Sequence, residues 1–70
     1  MGYTASANSR IEQGINKGMN NNDIIHSIIY DREDFGHDVS QILVYTKGTN
    51  ERVMKIARSL AEIDSRVKFV

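Results

Sequence analysis

The chain has no cysteine, so disulfides and every thiolate metal site are excluded, and the composition fits a reducing compartment. The expected location is the cytoplasm. It also has no run of 18 or more apolar residues, and its first ten, MGYTASANSR, lack the apolar stretch of a signal peptide. A membrane partner and export are therefore not expected. Net charge is absent too: nine basic residues balance nine acidic ones, which removes any long-range attraction of the whole molecule to nucleic acid or an acidic bilayer.

Length sets a further bound. Seventy residues make one domain, and a chain of that size buries only about 60% of the surface that it exposes when unfolded. With disulfides and thiolate metal sites excluded, a partner chain is the remaining supplement to a marginal core, either a second copy or a larger protein. The charges are unevenly placed. Residues 1–46 carry three bases and six acids, and residues 47–70 carry six bases and three acids. The two halves can attract each other, or the second can face an anionic partner. Met1, Gly2 and Ser6 also match the M-G-x-x-x-S acylation pattern, for which a start of small polar residues is the plainer account.

The strongest local signal is TNERVMKIARSLAEI, Thr49 to Ile63. At about 100° per residue, Val53, Ile56, Ala57, Leu60 and Ile63 share one side. Glu51, Arg52, Lys55, Arg58, Ser59 and Glu62 share the other, so a helix with one buried face is predicted. Earlier, residues 1–8 have no period and read as a mobile tail, leaving 9–70 as the domain. Ser9 with Glu12 forms a capping box for a helix carrying Ile11, Ile15 and Met19 and stopping at Gly18. Gly14 inside it costs about 1 kcal/mol relative to alanine, so this helix needs tertiary support. Asn21 or Asn22 is the expected cap of a second helix, Asn22 to Tyr30, with Ile24, Ile25, Ile28 and Ile29 on its apolar face. DREDFGHD, Asp31 to Asp38, reads as a charged loop with Phe35 turned inward.

VSQILVYTKG decides the fold class. Asp38 with Gln41 is another capping box, Val39, Ile42, Leu43 and Thr46 line a helical face, and Gly48 suits a helix stop. Residues 42–46 are also almost all strand formers. The end signals favour helix, and hence a mostly α fold, a small three- to four-helix bundle. The alternative is α+β, with strands near 41–46 and 66–70 flanking a helix over 50–63. Two strands make a poor sheet, so that version requires pairing with another molecule or with a bent N-terminal segment.

Gly18, Met19, Asp23 and Ile24, followed by Val39, Ser40, Gln41, Ile42 and Leu43, resemble the helix-turn-helix superfamily of DNA-binding domains over residues 18–48. The resemblance implies a recognition helix that presents Ser40, Gln41, Val44 and Lys47 to the major groove. Arg52, Lys55 and Arg58 would support it, although Glu51 four before Lys55 and Glu62 four after Arg58 explain much of that basic face by intrahelical pairing. A small nucleic-acid-binding regulator, acting as a dimer, is the leading functional expectation. The other is a protein-interaction module, an adaptor or inhibitor acting on a larger partner.

Catalysis is not expected. His26 and His37, with Asp31, Glu33, Asp34 and Asp38 nearby, lack the i, i+4 spacing or cysteine partners of a metal site, so no metal or other cofactor is assigned. Asp34-Phe35-Gly36 spells the magnesium tripeptide of kinases in a chain far too short for that fold.

Overall fold

In a computed structural model that describes residues 3–70, six elements follow one another. They are β1 (Tyr3–Ser6), α1 (Asn8–Asn16), α2 (Asn21–Ile29), β2 (Val39–Val44), α3 (Glu51–Ile63) and β3 (Val67–Phe69). The acylation pattern at Met1 and Gly2 lies outside the described residues. The strands form one sheet in the order β1-β2-β3, and both pairings are parallel.

This corrects the expected mostly α bundle: the fold is α+β, and VSQILV is the central strand. The α+β alternative has the right plan, with strands on either side of α3. Its missing third strand is supplied by the N-terminal segment, where a tail was expected. Local signals favoured helix at Val39 to Lys47 because capping residues are also turn residues. Two flanking strands settle the matter by taking up the main chain of β2 on both sides. Ala7 N–H donates to the Leu43 carbonyl at 3.0 Å, and Ile42 N–H to the Arg66 carbonyl at 2.9 Å. Ile42 and Val44 then fall on one face, each fully buried, whereas a helix would have separated them by about 200°.

Both crossovers advance in the same direction across the sheet. Because such connections are right-handed, they place α1, α2 and α3 on the same face. The three helices accordingly all pack against one another. Between helices and sheet lies one apolar core, to which Ile11, Ile24, Ile28, Ile42, Val44, Val53, Ile56 and Leu60 contribute the largest fully buried side chains. Phe35 reaches it from the loop, as expected.

Helix ends need three adjustments. α1 begins at Asn8, and its cap position, Ala7, makes no side-chain bond, so the Ser9–Glu12 capping box is not used. The cap of α2 is Asn20, whose Oδ1 accepts from Asp23 N–H at 2.8 Å. Asn50 does the same for α3 toward Val53 N–H at 2.9 Å. Gly18 stands just past α1 at φ +79°, the left-handed stop that its sequence position predicts. Ile63, expected on the buried side of α3, is 63% exposed because α3 ends there and the chain turns away.

Candidate functional site

The loop between α2 and β2 is the most heavily tied connection in the molecule. Asp31 starts it by accepting from the N–H groups of Glu33 and Asp34 at 2.8 and 2.9 Å. Those bonds, the one from Asp34 foremost and then the Arg10 guanidinium, hold the Asp31 carboxyl below its ordinary range against the opposing effect of burial. Arg10, from α1, pairs with Asp31 at 2.6 Å and with Asp34 at 2.9 Å, and its guanidinium stands 6.0 Å from the centre of the Phe35 ring. On the far side Arg66, just before β3, donates to the carbonyls of Phe35, Gly36 and Val39 at 3.3, 2.9 and 3.1 Å. The Asp64 carboxylate holds that guanidinium at 2.8 Å, which lowers the Asp64 pKa and raises that of Arg66. Two arginines thus fasten one acidic loop to both ends of the fold.

The sheet face away from the helices is uncovered. Ser6, Leu43 and Lys68 are register partners across it, with Thr4 and Gln41 one step behind. Thr4, Ser6 and Lys68 are exposed, and Gln41 and Leu43 are half-buried. Tyr45, just beyond β2, is 51% exposed. Parallel strands are ordinarily covered on both faces. This one carries mainly hydroxyl, amide and ammonium groups there, which tolerate water.

Beside this face, β1 forms an open edge. Its odd residues turn their main chain toward β2, as Tyr3 N–H shows in donating to the Asp38 carbonyl and Ala7 N–H to that of Leu43. By alternation, Thr4 and Ser6 direct theirs outward, and neither has a main-chain partner there among the described residues. Between this edge, α1 and the loop runs a cleft of about 280 Å³, lined by Ala5, Ser6, Ser9, Arg10, Gln13, Asp34 and Phe35. A second hollow, about 370 Å³, opens at the other end of the loop among Tyr30, Arg32, His37 and Arg66.

The residues assigned to a recognition helix do not share a surface. Val44 is fully buried and faces the helices. Gln41 belongs to the bare sheet face, Ser40 sits exposed at the register irregularity between β1 and β2, and Lys47 stands in the exposed loop before α3. Lys55 and Arg58 are exposed on α3, in the opposite layer, and Arg52 reaches the Met19 carbonyl at 3.4 Å. The ion pairs among the described residues are those of Arg10 and Arg66, so the Glu51–Lys55 and Arg58–Glu62 pairs expected along α3 do not form. His26 packs edge-on against Tyr30, ring centres 5.7 Å apart. No three metal-ligating side chains converge among the described residues.

The reading from sequence passed over Thr4, Ser6, Arg10 and Gln13. One signal pointed toward them, the need of a two-stranded sheet for an N-terminal third strand. Among the described residues, no helix is long and apolar enough to cross a membrane. No family model, no curated protein and no solved structure matches the chain.

Proposed function

We propose that this chain is a non-catalytic interaction module, a small adaptor or inhibitor that acts by docking on a larger protein. The observation that carries this reading is the one-sided sheet: three parallel strands, all helices on one face, and the second face and both edges left to solvent. A third layer supplied by a partner is the arrangement that parallel strands ordinarily have. The helix-turn-helix route to DNA has no recognition helix in this fold, because Val39–Val44 form β2 and Lys47 stands in the loop beyond it.

Site-specific photo-crosslinking in the source cells tests the reading. A benzophenone amino acid replaces Gln41 on the bare face, Thr4 at the β1 edge, or Lys55 on the outer side of α3. Discrete protein adducts from position 41 or 4, and none from 55, are the expected result. Adducts to nucleic acid, or equal labelling from all three positions, would overturn it.

A further inference from the structure

Resting on that reading, we propose that the β1 edge and the cleft beside α1 form the docking site, and that the occupant is an extended, lysine- or arginine-bearing segment of the partner that adds to the sheet as a fourth strand. The outward N–H and C=O groups of Thr4 and Ser6 repeat every two residues, about 6.6 Å apart, a spacing that another main chain in extended conformation matches. Side chains of such a strand would enter the cleft between Ala5, Arg10, Gln13 and Phe35.

The two sheet edges differ in how they are guarded. β3 has three residues, with Lys68 at its centre, and the Val67 N–H is already given to the Asp64 carbonyl at 3.3 Å. Lysine on a short strand is a common way of blocking edge pairing. Tyr3–Ser6 contains neither a charge nor a proline, and its outward groups are free of partners among the described residues. An unguarded edge in an otherwise guarded sheet marks the side that receives a strand.

The charge of the occupant follows from the surroundings. The loop that borders the cleft carries Asp31, Glu33, Asp34 and Asp38 against Arg32. Arg10 is spent on Asp31 and Asp34, and Asp34 remains 67% exposed at the rim. Counting Arg10 with the loop, four acids stand against two bases beside the edge, so a basic segment is favoured and an acidic one repelled. A second copy of this chain is disfavoured by charge, because edge-to-edge pairing about a two-fold axis would set one acidic loop beside another.

The test is a titration of the ¹⁵N-labelled protein with a peptide of about ten residues that alternates lysine with threonine and valine, followed by amide shifts and hydrogen exchange. Protection of the Thr4 and Ser6 amides is expected, with no such effect from the same peptide carrying glutamate for lysine. Thr4→Pro removes an outward N–H that the fold itself does not use, so circular dichroism should be unchanged while affinity falls about tenfold or more. Asp34→Lys should weaken the lysine peptide and admit the glutamate one. No binding, protection on β3 or the bare face, undiminished affinity of Thr4→Pro, or protection that light scattering traces to self-association would each overturn the site. Crosslinks from position 41 alone would overturn the site and leave the interaction module standing; adducts to nucleic acid or equal labelling from all three positions would remove both.

Discussion

The side-chain amide of Asn8 meets the main chain of Tyr45 as another strand would: its Nδ2 donates to the Tyr45 carbonyl at 3.0 Å and its Oδ1 accepts from the Tyr45 N–H at 2.9 Å. β1 has ended and α1 has begun at that point, so the side chain prolongs the β1–β2 ladder by one rung. The same Nδ2 lies 3.2 Å from the Thr49 hydroxyl, which joins the loop before α3 to the start of α1. Asn8→Ala should therefore lower stability by about 0.5–1.5 kcal/mol, the range for losing hydrogen bonds whose partners can turn to water, the Tyr45 carbonyl also keeping the Thr49 hydroxyl. Asn8→Asp should cost at least as much at neutral pH, since a carboxylate cannot donate to the Tyr45 carbonyl. Urea denaturation measures both.

Gly14 is a helix-interior glycine whose conformational cost is met by closeness. A Cβ there would stand 2.5 Å from Cγ1 of the buried Ile24, so α1 and α2 approach more closely than alanine allows. Gly14→Ala gains about 1 kcal/mol of helix propensity and loses about 1–3 to overpacking. Net destabilisation is expected by thermal unfolding. In an Ile24→Ala background the clash is gone, and the same change should become neutral or stabilising.

The acid limb of the stability curve should report Asp31 and Asp64. Both have folded-state pKa values below the ordinary 3.8, Asp64 chiefly through the Arg66 side chain and Asp31 chiefly through the Asp34 N–H. A lowered folded value means that the stabilisation is fully present above the unfolded pKa and is lost as pH falls through the folded one. Urea midpoints should therefore hold from pH 7 to about 5 and decline below about 4. Asp64→Asn should flatten that decline.

Arg66 should matter more than its surface position suggests. Replacing it with methionine keeps the aliphatic stem but takes the side-chain donor from the Phe35 and Val39 carbonyls, and leaves the Gly36 carbonyl only the Val39 N–H and the Asp64 carboxylate only the N–H of residue 66. A loss of about 2 kcal/mol is expected, with faster amide exchange in the loop and at the start of β2. Arg66→Lys should recover only part of it, because an ammonium lacks the planar fork that reaches both sides.

The two faces of β2 should respond unequally. Val44→Ala, in the core, should cost about 2 kcal/mol, while Gln41→Ala, on the bare face, should stay within about 0.5. A partner on the bare face would reverse the ranking for binding, which crosslinking at position 41 would register.

The elements that were legible from the residues alone are those whose signal is local. The apolar stripe of α3, the four-residue repeat of isoleucines in α2, the inward Phe35 and the stop at Gly18 each depend on neighbours within a turn or two of chain. So does the charge bookkeeping, and it predicted an acidic loop correctly without saying what would hold it. The candidate site was illegible because none of its parts is marked in isolation. Tyr3–Ser6 is too short to show a period, and Thr4 and Ser6 matter only because the alternation of a strand turns their main chain outward. Asp38 to Gly48 carries strand formers and helix-end signals together, and within that window neither set prevails. The balance is broken by β1 and β3, whose register partners are 36 and 25 positions away at Tyr3↔Val39 and Ile42↔Val67. Hydrogen bonds across such separations exist only once the chain has closed on itself, so helical segments could be read in advance, while the sheet, its bare face and its open edge belong to the folded molecule.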